Sequence, residues 1–298
     1  MKTKLIILPL LLSSLLQSAE LRIGRGNFSC DMSVMKFMDT SFDLDINVAA
    51  LSNPHDNFSD SSFYYFYNAE IYASSFADKM TTLATYPITY DIPLLGSIND
   101  AIAEYTPIAV PSEYKVRGFD LDLGVGYDLY HENNNYIGIG ISTGLSMPVM
   151  KMKNLRKSAE MIYSVLDATD TTILTYKLGT SLQAGVEILP TLFLEGSASL
   201  GYQTGYVKND WFASSFDVDG EFKTFNVALK YVPFETHTEF AGINVDPQLY
   251  FVLGFTHKTW DMDKAKVNMG NIFSVESFGM CDIGFEANYT YFGIGYNF

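Results

Sequence analysis

Residues 117–129 read Arg-Gly-Phe-Asp-Leu-Asp-Leu-Gly-Val-Gly-Tyr-Asp-Leu, and large apolar side chains alternate strictly with smaller or charged ones. Successive side chains of a β-strand point to opposite faces, so this stretch predicts a strand with one apolar face and one face of glycine and aspartate. It is also longer than the roughly 9–11 residues that a tilted strand needs to cross a bilayer. The pattern fits a membrane-spanning strand, and it equally fits a strand of a soluble sheet protein.

The same alternation recurs along the chain. It is clear in residues 40–50, 136–147 and 173–188, and further strands are predicted at 21–34, 62–74, 192–206, 222–232, 248–260 and 289–298. We therefore expect an all-β fold, a closed antiparallel transmembrane β-barrel of about ten strands, with eight or twelve left open by the ambiguous first strand. The apolar faces are expected to meet lipid.

The N-terminus resembles an export signal. Lys2 and Lys4 precede an apolar run from Leu5 to Leu16, and Ala19 stands at a small-residue exit, which together predict a cleaved signal peptide over residues 1–19 and a barrel domain over 20–298. That run is too short for a membrane-spanning helix, and after residue 20 no apolar stretch approaches the necessary length. The pattern excludes a helical integral membrane protein.

The C-terminus carries a resemblance to a known class. Phe292, Ile294, Tyr296 and the terminal Phe298 alternate at period two, which resembles the closing strand of Gram-negative outer-membrane β-barrel proteins. In that class this terminal pattern is the signal that the outer-membrane assembly machinery reads. The resemblance implies a bacterial outer-membrane location, with the lipid bilayer and lipopolysaccharide as partners. A secreted soluble β-sandwich or lipocalin-like barrel is the alternative.

The charged residues indicate which partners and ions the protein can favour. Nineteen Lys and Arg face 34 Asp and Glu, giving a net charge of −15, and such acidity excludes nucleic acid as a partner. Asp43, Asp45, Asp120 and Asp122 are predicted to form an acidic face in the lumen, which would favour cations over anions. The same face is also explained by the ordinary polarity of a wet lumen.

Two long outside segments are predicted, over residues 75–115 and 148–171. Apolar spacing at 94–105 and at about 153–167 predicts a short helix in each. The second segment contains a basic cluster of Lys151, Lys153, Arg156 and Lys157. This cluster could bind lipopolysaccharide phosphates, fold inward against the acidic wall, or simply be a solvated face.

The two cysteines, Cys30 and Cys281, fall on the first strand and just before the last. These strands are neighbours in a closed barrel, so the pair could form a disulfide near the outer rim, although two isolated thiols explain the positions equally well. Two cysteines without nearby histidine do not make a metal site, and the sequence predicts neither metal nor cofactor.

The sequence contains no enzyme motif. Of the four histidines, His55 and His131 fall in predicted periplasmic turns and His237 in the 233–246 segment. Only His257 is expected near the outer rim, and it has no Asp-x-His partner, so no catalytic residues are assigned. We expect a porin-like channel for small hydrophilic solutes with a mild cation preference, because the lumen face of 136–147 is small, with Gly138, Gly140, Ser142, Gly144 and Ser146. A non-conducting structural or surface-interaction barrel is the alternative, and an outer-membrane enzyme is the third.

Overall fold

Alternating sequence patterns become long strands in the computed structural model. The structure describes residues 18–34, 38–58, 61–83, 108–132, 134–154, 169–209, 215–234, 238–240, 243–245, 248–269 and 273–297. The strands are β1 (Ser18–Val34), β2 (Met38–Asn57), β3 (Phe63–Ser74), β4 (Ala77–Leu83), β5 (Ile108–Glu132), β6 (Asn135–Asn154), β7 (Thr169–Leu189), β8 (Leu192–Asn209), β9 (Ser215–Tyr231), β10 (Thr238–Phe240), β11 (Ile243–Val245), β12 (Leu249–Met269) and β13 (Phe273–Asn297).

The strands close into an antiparallel barrel. β1 pairs with β2 on one side and with β13 on the other, so that Cys30 lies opposite both Phe42 and Phe285. β3 and β4 both pair with β2 and β5, so they occupy one strand position of the barrel, one after the other along its length. The 11-stranded sheet therefore forms a barrel of ten strand positions. β10 and β11 form a separate hairpin. The expected all-β ten-strand barrel is confirmed.

The two ends of the barrel differ. We call the end that carries Ser18, Asn297 and the tight turn at 190–191 the terminal end, and the opposite end the far end.

Among the described residues, no helix is long and apolar enough to cross a membrane. The helix predicted at 94–105 lies outside the described residues. The helix predicted at 153–167 also lies outside them, apart from residues 153 and 154, which belong to β6.

The strands are much longer than a bilayer requires. β5 and β13 have 25 residues each. At about 3.3 Å per residue and a tilt of about 45°, such a strand rises roughly 58 Å, about twice the hydrocarbon thickness of roughly 30 Å. Strands also occupy much of what the sequence suggested were loops: β4 and the start of β5 lie within 75–115, and the end of β6 and the start of β7 lie within 148–171.

The outward face of the long strands changes from apolar to polar along their length, as β12 shows. Near the terminal end its outward side chains are apolar: Phe251, Leu253 and Phe255. Further along, the outward residues become His257, Thr259 and Asp261. On the inward face, Tyr250 and Val252 at the terminal end are buried, Thr256 and Lys258 are the polar residues in the middle, and Trp260 and Met262 are buried towards the far end. The terminal half thus has the apolar exterior of a transmembrane barrel, and its interior combines polar residues with buried aromatic ones. The far half is arranged like a soluble barrel.

Candidate functional site: the barrel interior

A charged network crosses the middle of the interior. Lys258 on β12 places its Nζ 2.9 Å from Glu70 Oε2 on β3 and also pairs with Asp120 on β5. Lys177 on β7 places its Nζ 2.6 Å from both Asp120 Oδ1 and Asp122 Oδ1. The network joins four strands across the lumen.

The network is almost completely removed from solvent. Glu70, Asp120, Lys177 and Lys258 are each 2% exposed or less. Tyr289 donates a hydrogen bond from its hydroxyl to Glu70 Oε2 at 2.5 Å. Burying charges is costly unless they are paired and hydrogen-bonded, and here every buried charge has an opposite partner. Three carboxylates against two ammonium groups leave the network with one excess negative charge.

Several small residues of the lumen face are covered by aromatic rings. A Cβ atom at Gly126 would lie 2.2 Å from the Tyr64 ring, one at Gly138 would lie 2.5 Å from the same ring, and one at Gly124 would lie 2.1 Å from Phe66. Rings from β3 therefore lie directly over the glycines of β5 and β6. These positions need glycine because the neighbouring strand supplies the bulk that fills the interior.

An apolar core fills the far half. Phe28 packs against Tyr72 and Phe285 with ring centroids 5.7 and 5.5 Å apart. Phe42 stacks on Tyr114 at 4.4 Å. Other buried members come from all around the wall: Met32, Leu44, Ile46, Val116, Met150, Met152, Ile173, Val207, Val218, Phe222, Trp260, Met262 and Ile283.

A histidine–aspartate cluster lies at the terminal end. His55 Nε2 is 3.0 Å from Asp128 Oδ1, and His131 Nδ1 is 3.2 Å from Asp128 Oδ2. The His55 ring stacks on Tyr136 at 3.8 Å and lies 4.5 Å from Tyr64. Asp128 is buried, and the Asn57 amide also donates to it at 2.8 Å. Sequence reasoning missed this cluster because His55 and Asp128 are far apart in the chain.

A small cavity with mostly polar lining residues lies between the charged network and the terminal end. It encloses about 60 Å³ and is lined by Asp122, Gln183, Asn226 and other polar side chains. Gln183 is 2% exposed, and its Oε1 has no hydrogen-bond partner among the described residues. A space of this size and polarity suits a few water molecules.

The predicted acidic face divides into two groups. Asp120 and Asp122 lie inside the barrel in the charged network. Asp43 and Asp45 require a correction, because they are exposed on the outer face of β2 while Leu44 and Ile46 are buried in the apolar core. This part of β2 lies in the far half, where the interior is apolar, so the apolar side of the alternation points inward.

The predicted basic cluster is also rearranged. Lys151 and Lys153 lie on strand β6, not in a loop, and Arg156 and Lys157 lie outside the described residues. Lys151 pairs with Asp170 at 2.7 Å, and the Lys153 ammonium lies 4.1 Å from the centre of the Phe76 ring. The two described lysines therefore point away from the acidic lumen residues.

The predicted disulfide is not formed. Cys30 is a free thiol, fully buried, with its Sγ 3.6 Å from Met150 Sδ. Its backbone lies opposite Phe285, whereas Cys281 lies opposite Val34. The first and last strands are neighbours as expected, but the register separates the two cysteines by four residue positions.

The C-terminal pattern lies on the outer face of β13. Phe292 and Ile294 are exposed there and alternate with the inward-facing Tyr291 and Gly293. Phe298 lies outside the described residues. β13 pairs with β1 through Ile294 and Leu21, which completes the ring in the terminal half.

Three histidines lie within the described ranges: His55, His131 and His257. His257 lies on the outer wall, with its Nδ1 2.6 Å from Asn288 Oδ1 and 3.6 Å from Glu286 Oε1. His55 has its carboxylate partner, but it stacks between aromatic rings at the terminal end. Within the described ranges, no group of three or more His, Cys, Asp or Glu side chains could hold a metal ion.

Comparison with known proteins identifies the fold alone. No family model and no curated protein matches the sequence. The outer-membrane protease OmpT from Escherichia coli is similar in structure, with a TM-score of 0.51, 10% identity, and coverage of 94% of this chain and 97% of that one. The transport unit of the autotransporter AIDA-I from E. coli covers 95% and 91%, with a TM-score of 0.39 and 11% identity. The translocator domain of the autotransporter NalP from Neisseria meningitidis covers 94% and 88%, with a TM-score of 0.34 and 11% identity.

Proposed function

With the fold of an outer-membrane β-barrel as the premise, we propose that this chain is a sealed, non-conducting barrel of a Gram-negative outer membrane. In this proposal the terminal end faces the periplasm, and the far half stands above the membrane and presents its outer wall to the surroundings. Residues 1–19 are the signal that exports the chain, and residues 20–298 form the barrel domain. The function is structural or lies in surface interactions.

The packing of the described interior residues is the observation that supports this proposal. Going from the far end to the terminal end, the lumen contains an apolar core, then the Lys258–Asp120 network, then the stack of His55 on Tyr136. A solute would have to displace close-packed rings and separate buried ion pairs. Barrels of this size have an interior that side chains can fill.

A porin-like channel for small hydrophilic solutes, with a mild cation preference, is the competing function. Asp120 and Asp122 in the lumen favour it. However, both carboxylates are paired with Lys177, and the cavity beside them is small. The Gly138 face, which suggested open space, is covered by the Tyr64 ring. The contacts favour the sealed barrel.

An enzyme is less well supported. The similarity to a protease rests on fold at 10% identity and carries no catalytic residues to this chain. The described histidines lie at the terminal end or on the outer wall, away from the interior of the far half.

We infer the partners from the apolar and basic side chains of the outer wall. The apolar exterior of the terminal half would contact the bilayer, and Phe292, Ile294, Tyr296 and Phe298 would be read by the assembly machinery. On the far half, Lys115 and Lys153 both approach the Phe76 ring, at 5.6 and 4.1 Å. These two ammonium groups are suited to the phosphates of lipopolysaccharide.

Single-channel recording tests the proposal. The folded barrel, shown to be intact by its heat-modifiable mobility on a gel, would be inserted into a planar bilayer under a salt gradient. We expect no steady conductance. A stable cation-biased conductance from the intact protein would overturn the sealed barrel in favour of the channel.

A further inference from the structure

The small cavity beside the charged network has a wall rich in side-chain oxygens. It encloses about 60 Å³, the volume of roughly two water molecules. Five of its lining side chains carry an oxygen that can accept a hydrogen bond or bind a cation: Asp122, Gln183, Ser197, Ser199 and Thr224. They come from β5, β7, β8 and β9, so the cavity is enclosed by one side of the barrel wall.

The main N–H donors on the cavity wall are already bonded to protein acceptors. Lys258 donates to Glu70 Oε2 at 2.9 Å and also to Asp120. The Asn226 amide donates to Thr256 Oγ1 at 2.8 Å and to the Tyr291 hydroxyl at 3.0 Å. A group bound in the cavity would therefore meet mainly oxygens.

Two of these oxygens lack a hydrogen bond. Gln183 is 2% exposed, and its Oε1 has no partner among the described residues. Asp122 contacts Lys177 through Oδ1 at 2.6 Å, whereas its Oδ2 is 3.9 Å from Lys258 Nζ, too far for a hydrogen bond. Leaving a buried acceptor unpaired costs stability, so both oxygens are suited to a ligand that carries positive charge.

The charge around the cavity also calls for a cation. Arg22 lines the cavity but is neutralised by Glu20, with its Nε 2.5 Å from Oε1. The charged network keeps its one excess negative charge, and Asp122, the carboxylate that lines the cavity, belongs to it. A monovalent cation balances this charge. A divalent cation would leave an excess positive charge, and such ions commonly bind several carboxylates.

We propose that the cavity binds a single sodium ion, held by Asp122 and Gln183 and by the hydroxyl groups of the wall. Such a site has one carboxylate and otherwise neutral oxygens, so it is unlike a metal site built from three or more His, Cys, Asp or Glu side chains. The cavity is too small for an ion with a full shell of water, so side-chain oxygens replace most of that shell. A bulky organic cation such as choline does not fit.

Urea unfolding of the intact barrel in two salts tests the site. Sodium chloride and choline chloride would be compared at equal concentrations, so that the screening of charges is the same. We expect sodium to stabilise the wild-type barrel relative to choline. Because one ion binds the folded state alone, each tenfold rise in sodium above its dissociation constant should raise the ratio of folded to unfolded protein about tenfold. An equal response to both salts would overturn the proposal.

Substitutions in the cavity locate the effect. Asp122→Asn and Gln183→Met each remove one of the two oxygens with little change in volume, and each should abolish the advantage of sodium over choline. Asp43→Asn removes an exposed carboxylate of the outer wall and is the matched control, which should keep the wild-type response. If Asp122→Asn does not give a heat-modifiable barrel, Gln183→Met alone decides the outcome. A full sodium response in Gln183→Met would show that the ion acts elsewhere and would refute the site.

Discussion

Replacing Lys258 with methionine removes the cation that links Glu70 to Asp120 across the lumen. The methionine keeps most of the side-chain volume, so the packing beside Trp260 is largely preserved, but the network changes from one excess negative charge to two. All of these groups are at most 2% exposed, except Asp122. Removing one partner of a buried ion pair typically costs about 3–5 kcal/mol. We expect a loss of unfolding free energy in that range for Lys258→Met.

Denaturant unfolding of the barrel, followed by tryptophan fluorescence, measures this loss. Trp260 lies two residues from Lys258 on the same inward face and reports directly on the interior. The double variant Glu70→Gln with Lys258→Met restores one excess negative charge and should recover a clear part of the lost stability. A loss below about 1 kcal/mol for Lys258→Met, or a double variant no more stable than the single one, would refute a network of buried, coupled charges.

Three further predictions concern the packing of single residues. Leu44→Ala should cost about 2–5 kcal/mol of unfolding free energy, whereas Asp43→Ala should stay within about 0.5 kcal/mol; equal losses would contradict the orientation of β2. Asp128→Asn should destabilise the barrel by about 1–3 kcal/mol because it weakens the contacts to two histidines and leaves Asn57 poorly paired, and His131→Ala should cost less because His131 is partly exposed; the reverse order in denaturant titrations would argue against the cluster. Cys30 should react with a maleimide only after unfolding, and its gel mobility should not depend on reductant; rapid labelling of the folded protein would show that the far half is open.

The sequence predicts the strands well because the alternation is local. The faces of β5 and β7 follow the pattern: Leu123 and Leu178 point outward, and Asp120 and Lys177 point inward. Both strands run through the apolar belt of the outer wall. In this part of the barrel the apolar residues of the alternation point outward and the polar residues point inward. The number of strands follows from the same local signal.

Which face is the interior depends on what surrounds the strand. The pattern of β2 is as regular as that of β5, yet Leu44 points inward and Asp43 outward, because this part of β2 lies in the far half. Alternation separates two faces but carries no information on which one meets water. The far half could have been anticipated only from strands that are too long for a bilayer.

Long-range contacts were beyond the sequence argument. Glu70 and Lys258 meet across the barrel, and Asp128 meets His55, only because closure and register bring their strands together. The glycines of 136–147 suggested space, whereas the space beside Gly138 is filled by Tyr64 on β3. The strand register also separates the two cysteines, since Cys281 lies opposite Val34 and not opposite Cys30.

Paired cysteine labelling measures the reversal of faces in the far half. Asp45→Cys and Ile46→Cys would be made separately in a background with Cys30→Ala and Cys281→Ser, and each would be reacted with a small and a bulky polyethylene-glycol maleimide. Asp45 is an outward side chain, 74% exposed, so its cysteine should react equally well with both reagents, while the cysteine at position 46, inside the core, should react with neither. If position 45 reacted only with the small reagent, or position 46 reacted in the folded barrel, the aspartates would line an open lumen and the faces of β2 would not be reversed.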